Sequence, residues 1–392
     1  MTDAASVKSR TAAAIERDRE SIVSLSHRIH AKPELAFEEE SAAAWCAEEL
    51  ARGGLAVEVG VCDLPTAFVA TAGSGPLVVA ICAEYDALPG IGHACGHNVI
   101  ASAAVGAGCA LAPVADYLGI TVKVLGTPAE EGGGGKVLMM ERGGFDGVNA
   151  AMMVHPAPGE RDRMPCLAVE TLDIVYRGKE AHASAYPELG INAADALTVA
   201  QVAIGLLRQH ADFGDQVHGI VTLGGSAPNI VPARTEAKYY VRARTLQALE
   251  KWSPRVRRCF EAGAIATGSS LEIAPDGPTY SEFDTDEVMT GIYRANAEAL
   301  GRVFPPPDER PMSGSTDMAN VSLAIPSIHP MLGLDCLPAV NHQPEFTEAA
   351  GGEAADRAAT DGATAMAWTV IDLALNDAAR TRLMAKAYRH GD

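Results

Sequence analysis

The segment GIGHACGHNVI, residues 90–100, brings together side chains that could do chemistry. His93, Cys95 and His97 lie within five positions of one another. Thiolate and imidazole groups are ligands that zinc and similar divalent ions prefer. Two other interpretations stay open for this segment alone: a cysteine nucleophile served by a histidine base, or a turn of small residues in which three polar side chains fall close together.

Two further polar clusters follow along the chain. Glu130 and Glu131 form a carboxylate pair in the glycine-rich segment TPAEEGGGG, and His155 follows the apolar run AAMMV. Alone, a paired glutamate is typical of a solvated turn, and a histidine after a strand is typical of a core residue. Together with Cys95 and His97, these residues form a ligand set suited to a first-row divalent ion. The three clusters jointly favour a metal site.

The adjacent carboxylates are expected to have different roles. Neighbouring side chains in an extended loop point in opposite directions, so one of Glu130 and Glu131 can bind metal while the other faces a metal-activated water. A carboxylate in that place can take a proton from the water and pass it to a leaving amine. The pattern therefore predicts hydrolysis without a covalent intermediate.

Each cluster follows a segment that is typical of a buried strand. These segments are PLVVAICAEY at 76–85, ITVKVLG at 120–126 and AAMMVHPAP at 150–158, with helical segments between them. Helices are also predicted over residues 10–30 and over SAAAWCAEELARGG. Strands that alternate with helices predict a mainly parallel sheet, whose ligand sites lie beyond the carboxyl ends of the strands. All three polar clusters fall at such ends.

The pattern changes at about residue 169. The segments from there to SLEIAPDG follow the order β-α-β-β-α-β, which is that of a small split-βαβ, ferredoxin-like domain. Residues 169–281 are therefore predicted as an inserted domain, and residues 1–168 with 282–392 as the metal-binding catalytic domain. Within the latter, 302–314 is predicted as a loop and 347–375 as one long helix. The fold class is α/β, with a mixed, mainly parallel sheet.

Composition limits the class of protein further. A chain of 392 residues exceeds the usual size of one core. Its net charge of −19 disfavours nucleic acid and anionic membranes as partners. The eight scattered cysteines include no Cys-x-x-Cys pair, which is typical of reduced thiols. With no apolar N-terminal segment and no stretch near the ~20 apolar residues of a membrane span, a cytoplasmic protein is expected.

Seven segments, in this order along the chain, resemble the sequence motifs of a known protein superfamily. They are RIHAKPELAFEEE, EYDALPGIGHACGHN, GTPAEEGGGG, MMVHP, GKEAHASAYPELGINAADAL, NIVPARTEAKYYVRA and VNHQPEF. With them, nearly the whole chain resembles the aminoacylase and carboxypeptidase superfamily of two-metal exopeptidases. It is most similar to the amidohydrolase branch with the hippurate, indole-acetyl-amino-acid and aminobenzoyl-glutamate hydrolases and the β-alanyl-lysine dipeptidase. The resemblance implies a two-metal catalytic domain with an inserted lid and dimerisation domain.

The resemblance also implies a ligand set for two divalent ions per subunit, which are zinc, manganese or cobalt. The implied metal ligands are Cys95, His97, Glu131, His155 and His342. Cys95 bridges the two ions as a thiolate in this arrangement. Glu130 is then the general acid and base, and Asp86 supports the ligands from behind.

Three residues of the inserted domain receive roles from the same resemblance. His182, in EAHAS, is similar to a histidine that in relatives reaches the site of the partner subunit and polarises the scissile carbonyl. Asn229 and Arg242 match positions that in relatives help to hold the substrate, often its carboxylate. We therefore expect a homodimer that associates through the inserted domain.

Two positions of the family pattern allow more than one interpretation: the last metal ligand and the residue after Cys-Gly-His. His329 is a rival of His342 as the last ligand, and the motif NHQPEF favours His342. Asn98 stands after Cys-Gly-His, where many members of the branch have aspartate and the β-alanyl-lysine dipeptidase group has asparagine. This difference puts the substrates of the aspartate-bearing members in question for this chain.

The predicted function is metal-dependent hydrolysis of the amide bond of a small N-acyl amino acid or dipeptide-like substrate, which releases a free amino acid. A dipeptidase of the β-alanyl-lysine type is the alternative within this class. A thiol hydrolase with Cys95 as nucleophile leaves the pair Glu130 and Glu131 without a role, and a metal-dependent binding protein has no need of a base beside the metal. The glycine run lacks the P-loop spacing, and the serine-hydrolase motif Gly-x-Ser-x-Gly is missing.

Overall fold

A computed structural model describes residues 3–306 and 314–391. The chain forms two compact units: unit 1 comprises Met1–Pro165 and Phe283–Asp392, and unit 2 comprises Cys166–Glu282. These limits lie within three residues of those expected from the sequence, 169–281 for the inserted domain. The predicted loop at 302–314 falls largely outside the described residues, and the lid role of unit 2 stays a prediction.

The strands and helices alternate along unit 1 and regroup in unit 2. The strands are β1 Ala56–Val59, β2 Phe68–Ala72, β3 Leu77–Ala83, β4 Ile120–Gly126, β5 Ala150–Met152, β6 His155–Ala157, β7 Ala168–Arg177, β8 Gln216–Leu223, β9 Arg234–Ala243, β10 Ser270–Pro275, β11 Ser327–Ile328 and β12 Met331–Gly333. The α-helices are α1 Ala4–Arg17, α2 Arg19–Ala31, α3 Glu40–Arg52, α4 His97–Leu111, α5 Ala115–Leu118, α6 Gly135–Glu141, α7 Ala193–Leu207, α8 Leu246–Thr267, α9 Glu287–Ala299, α10 Met318–Ala324, α11 Pro344–Ala350, α12 Glu353–Leu375 and α13 Asp377–Met384.

The main sheet of unit 1 has the strand order β1-β2-β4-β3-β5-β11. The pairs β4-β3, β3-β5 and β5-β11 are parallel, and the two pairs at the β1 edge are antiparallel. The predicted mixed, mainly parallel sheet is therefore confirmed. A second parallel pair, β12 with β6, continues the course of β11 and β5. The parallel strands end at one edge of the sheet, which is where such sheets place their ligand sites.

The helix α4 lies in the core of unit 1, and nearly every residue from His97 to Leu111 is buried. The run His97–Leu118 has 22 residues, and its most apolar 18 residues have a mean hydropathy of 1.6, so its length and composition are sufficient to cross a membrane. The expectation that no stretch approaches this length is therefore wrong. However, 83% of the most apolar part of the run is buried inside the protein, as expected for a helix that is apolar on every side and packed in a core.

Three other elements differ from the sequence prediction. The helix expected over 10–30 is two helices, because Asp18 leaves the helical conformation between α1 and α2. The long helix expected over 347–375 is interrupted at Gly351 and Gly352, between α11 and α12. The segment AAMMVHPAP forms two short strands rather than one, β5 and β6. Hydrophobic periodicity detected these segments but not their interruptions.

Unit 2 is a four-stranded antiparallel sheet of order β10-β7-β9-β8 with the helices α7 and α8. Its chain order, β7-α7-β8-β9-α8-β10, is the predicted β-α-β-β-α-β order. Local caps fix the helix starts, since Asn192 accepts hydrogen bonds from two backbone N–H groups of α7 and Thr245 accepts one from α8. The strand β8 forms the outer edge of this sheet.

Candidate metal and catalytic site

Polar residues follow the parallel strands of unit 1 at their carboxyl ends. Asp86 lies three residues beyond β3, and Glu130 with Glu131 lies in the loop after β4. His155 begins β6, directly after β5. The sheet therefore places the three polar clusters at one edge.

Gly96 explains how Cys95 and His97 can face the same space. It has a φ of 78°, which favours glycine, and it stands at the N-terminus of α4. A Cβ atom at this position would approach the ring of Pro156 to 2.8 Å, which is closer than real contacts allow. The Cys-Gly-His sequence thus makes a sharp entry into the helix, packed against the segment that carries His155.

The predicted ligands of unit 1 converge on two overlapping groups. Cys95 Sγ lies 3.4 Å from His155 Nε2 and 3.7 Å from His342 Nε2. Glu131 Oε1 lies 3.7 Å from the same nitrogen of His342. The ligand atoms of Cys95, His97 and His155 lie within 4.8 Å of one another, as do those of Cys95, Glu131 and His342. Cys95 belongs to both groups.

These residues fit two divalent ions. His97 Nε2 and Glu131 Oε1 are buried with no hydrogen-bond partner among the described residues, which is costly unless something else binds them. Ligand atoms around a tetrahedral zinc are separated by about 3.3–3.8 Å, given metal–ligand distances of about 2.0–2.3 Å. The separations around Cys95 Sγ, 3.4 and 3.7 Å, are of this size. The donor set and its spacing both suit metal binding.

Buried hydrogen bonds orient the histidine ligands. His97 Nδ1 donates to Asp86 Oδ1 at 2.9 Å, and Asp86 Oδ2 accepts from the backbone N–H of Glu131 at 3.0 Å. His155 Nδ1 donates to the backbone oxygen of Pro156 at 2.7 Å. In both imidazoles Nε2 is left for the metal, which is the arrangement that metal-binding histidines require. Burial lowers the pKa of His155 to about 4, so its ring is neutral.

Glu130 is buried and lies beside the ligand groups, with Oε2 3.8 Å from His97 Nε2. Burial and the negative charge of Glu84 raise the pKa of Glu130 well above its usual value. A raised pKa suits a carboxyl that exchanges protons at neutral pH. The backbone N–H of Ala129, which has a φ of 59°, donates to Glu39 Oε1 at 2.8 Å. This bond holds the loop that carries Glu130.

The same surroundings argue against a cysteine nucleophile. Burial and the carboxylate of Glu131 raise the pKa of the Cys95 thiol well above its usual value. An activated catalytic thiol needs the opposite shift, toward a thiolate at neutral pH. A bound cation provides that shift by direct coordination.

His342 and His329 occupy different places. His342 lies beside Cys95 and Glu131, and its backbone N–H donates to Ala94 O at 2.9 Å. The ring of His329 is buried against His155, with centroids 5.4 Å apart, and stacks on Phe283. His329 follows β11 as His155 follows β5, which explains why it looked like a rival ligand. It belongs to none of the ligand groups.

Asn98 has a packing role. Its Nδ2 donates to Ser26 Oγ at 2.8 Å and to Ala350 O at 2.9 Å, and the side chain is fully buried. An aspartate has no proton for either bond at neutral pH. Asparagine at this position therefore serves the packing of α4, and its relation to the substrate stays a prediction.

The three predicted residues of unit 2 lie in two places. His182 and Asn229 are neighbours, since Ala183 N–H donates to Asn229 O at 3.0 Å, and both side chains are exposed. Arg242 lies on β9 opposite Val169, at the far end of the sheet, and its guanidinium packs on the ring of Tyr240. Arg242 lies eight positions along β9 from Arg234, which is at the end of the strand near His182. The distance along the strand is about 26 Å.

The sequence reasoning missed a buried cluster beneath the site. Glu84, Lys136 and Asp317 are completely buried, and Lys136 forms an ion pair with each of the two carboxylates. Neither Glu84 nor Lys136 belongs to the polar clusters that the sequence predicts. The available signals were an acidic residue two positions before Asp86 and a lysine at the start of a helix after four glycines.

Comparisons with known proteins agree with this architecture. A sequence model of peptidase family M20/M25/M40 matches residues 80–359. The Xaa-Arg dipeptidase of Mus musculus is 38% identical over 388 residues, which cover 94% of this chain and 89% of that protein. One subunit of the p-aminobenzoyl-glutamate hydrolase of Escherichia coli is 33% identical over 303 residues, which cover 72% of this chain and 63% of that protein.

The fold is also that of a solved structure. A dinuclear metal binding peptidase of the M20 family from Bacillus subtilis superposes with a TM-score of 0.66 at 23% identity, over 91% of this chain and 99% of that one. With its fold and its candidate metal-ligand groups, the chain belongs to peptidase family M20/M25/M40. It is an amide-bond hydrolase, and the resemblance inferred from the sequence motifs is confirmed.

Proposed function

We propose that unit 1 holds two divalent ions that share the thiolate of Cys95. The observation that carries this proposal is the double membership of Cys95 in two groups of converging ligand atoms. His97 and His155 complete one group, and Glu131 and His342 complete the other. Zinc, manganese and cobalt all suit such mixed ligands.

Glu130 is the proton-transfer group of this proposal. When bound, the two ions supply Lewis-acid polarisation of an amide carbonyl and make a water more acidic. The Glu130 carboxylate takes a proton from the attacking water and delivers it to the nitrogen of the leaving amine, so that the amide bond breaks and a free amino acid leaves. Its burial supports this role, because a carboxyl in a site that excludes bulk water keeps a raised pKa.

The substrate class that we favour is a small dipeptide with a basic C-terminal residue. This choice is supported by the 38% identity to the mouse Xaa-Arg dipeptidase, which extends over 94% of this chain. An acylated glutamate of the aminobenzoyl type is the second candidate, on the 33% identity to the Escherichia coli enzyme. Both candidates have a free carboxylate, which Asn229 or Arg242 can bind.

We infer that the chain acts as a homodimer through unit 2. The edge strand β8 presents Ile220, Val221 and Leu223 with 65%, 46% and 37% of their surface exposed. An apolar, unpaired edge strand is a template for pairing with another strand. The chain enters and leaves unit 2 near Val169 and Tyr280, which pair at the same end of the sheet as Arg242. His182 therefore lies at the opposite end of this sheet, remote from both chain connections. That position supports a role of His182 in the site of the partner subunit.

The test combines metal depletion with a substrate panel. The purified protein is assayed before and after chelation and after return of zinc, manganese or cobalt. The panel contains dipeptides with C-terminal lysine or arginine, dipeptides with C-terminal leucine, aminobenzoyl-glutamate and N-acetyl amino acids. We expect metal-dependent cleavage that is fastest with the basic dipeptides. Full turnover by the metal-free protein contradicts the metal proposal, and a preference for aminobenzoyl-glutamate selects the second candidate.

A further inference from the structure

Beneath the proposed metal site lies a buried ionic cluster of three residues. Lys136 Nζ donates to Glu84 Oε1 at 2.5 Å and to Asp317 Oδ1 at 2.7 Å. The backbone N–H of Lys136 also donates to Asp317 Oδ2 at 2.8 Å, so Asp317 holds both ends of this lysine. All three side chains are completely buried. Lys136 lies in the first turn of α6, and Asp317 directly precedes α10.

The charges in this cluster do not cancel. Two carboxylates face one ammonium group, which leaves one negative charge in the interior. An uncompensated buried charge is costly, and proteins normally pair it or use it to bind metal. A further positive charge close to Glu84, from a bound cation or from a protonated His97, would balance the cluster.

One oxygen atom of Glu84 shows where that charge belongs. Oε1 is bound by Lys136, but Oε2 is buried and has no hydrogen-bond partner among the described residues. Oε2 lies 3.4 Å from His97 Nε2, which is also buried without a hydrogen-bond partner among the described residues. Their separation is that of two ligands on one tetrahedral ion, about 3.3–3.4 Å.

We propose that Glu84 is a further metal ligand, on the same ion as His97, with Lys136 and Asp317 fixing its carboxylate. This inference rests on the proposed two-ion site. The ligand atoms of Glu84, His97 and Glu130 lie within 4.8 Å of one another, which places the Glu84 carboxylate beside the imidazole that it would share an ion with. The other ion, with Cys95, Glu131 and His342, keeps three protein ligands.

The alternative is an ordinary ion pair in which Glu84 only balances Lys136. The two roles make different demands on the residue at position 84. A hydrogen-bond acceptor for Lys136 is retained by Glu84→Gln, which is isosteric but a poor metal ligand. A metal ligand is retained by Glu84→His, which cannot reproduce the charge balance with Lys136. Glu84→Asp keeps the charge but withdraws the carboxylate by one methylene group.

The experiment measures metal affinity rather than activity. Full-length wild type and the three Glu84 variants are depleted of metal, and the two zinc dissociation constants are determined by competition with a chromophoric chelator. Glu160→Gln is the matched control, because Glu160 is a buried carboxylate outside the ligand groups, bound by Arg302 and by the backbone N–H of Gly333. Circular dichroism shows which variants are folded, and the visible spectrum of the cobalt-loaded protein reports the coordination number of each ion.

We expect Glu84→Gln to weaken the binding of one ion by about 10²-fold, which is at the upper end of the effect of losing a residue that only supports a ligand. The variant should alter the cobalt absorption bands of that ion only. Glu84→His regains at least part of this affinity, and the control resembles wild type. If Glu84→Gln binds both ions like wild type, or binds better than Glu84→His, Glu84 is not a ligand. Should both variants fail to fold, wild-type affinity of Glu84→Asp for both ions rejects the proposal. A wild type that binds fewer than two ions rejects the two-ion site itself.

Discussion

The candidate site residues of unit 1 differ from those of unit 2 in how they are held. The groups around Cys95 are mostly buried, begin at strand ends and rest on a second layer of buried polar residues. His182 and Asn229 are exposed on loops of unit 2, and Arg242 lies about 26 Å along the strand from their end of the sheet. Unit 1 thus brings its ligand atoms together at a packed sheet edge, whereas unit 2 offers single side chains at its surface.

The two regions are therefore suited to different roles. Metal ligands and a proton-transfer carboxylate need fixed positions, and the packed sheet edge of unit 1 supplies them. An exposed histidine on a loop suits a contact that forms only when another surface meets it. The predictions below test this division of roles.

The largest effect is expected at Glu130. Glu130→Gln should lower kcat by about 10²–10⁴-fold while both ions stay bound, because the change removes only the proton-transfer group. The matched variant Glu131→Gln should instead lose metal from the Cys95–His342 group. Both variants are assayed for steady-state kinetics and for metal content. If Glu130→Gln loses metal and Glu131→Gln does not, the two roles are exchanged.

A large loss of activity is also expected when His182, in unit 2, is replaced. His182→Ala should lower kcat by about 10²–10³-fold, as for removal of one donor to a developing oxyanion, without loss of metal. Mixed with inactive Glu130→Gln under subunit exchange, it should recover about a quarter of wild-type activity, since half of the dimers carry one complete site. His210→Gln, an exposed histidine of unit 2, is the control. No recovery despite proven exchange rules out the role across subunits.

The layer beneath the Glu130 loop predicts a pH effect on stability. Burial and the charge of Asp86 raise the pKa of Glu39 to about 7. Below the unfolded-state pKa near 4.5, Glu39 makes its full contribution to the free energy of unfolding. This contribution falls by on the order of 3 kcal/mol as the pH rises from there through 7, because the folded state binds the proton more tightly. Thermal unfolding of wild type and Glu39→Gln, at equal metal content from pH 4.5 to 8, measures the difference. A difference that does not change with pH would falsify this assignment.

A smaller effect is expected behind His97. Asp86→Asn keeps the shape of the side chain but weakens the hydrogen bonds to His97 Nδ1 and to the backbone of Glu131. Loss of such a partner typically lowers metal affinity by about 10–100-fold. Chelator competition measures the affinity, and unchanged binding of both ions would mean that Asp86 does not orient the ligands.

Much of the unit 1 site was predictable from the sequence, because its residues follow apolar strand segments whose ends must meet at one sheet edge. Glu84 and Lys136 were not predictable in this way. Each is a single charged residue in an apolar or glycine-rich run, and only tertiary packing brings them together with Asp317. The breaks at Asp18 and Gly351 were missed because hydrophobic periodicity continues across them. The two buried hydrogen bonds of Asn98 were not predictable from the family pattern, because they depend on how α4 packs.

The central claim is that Cys95 is shared by two ions, and counting bound metal tests it most directly. Elemental analysis of the metal-reconstituted protein and of Cys95→Ser, with Cys336→Ser as a thiol control, gives the number of ions per chain. We predict two ions in wild type and in the control, and a marked loss of both from Cys95→Ser. One ion or none in wild type, or two tightly bound ions in Cys95→Ser, contradicts the account.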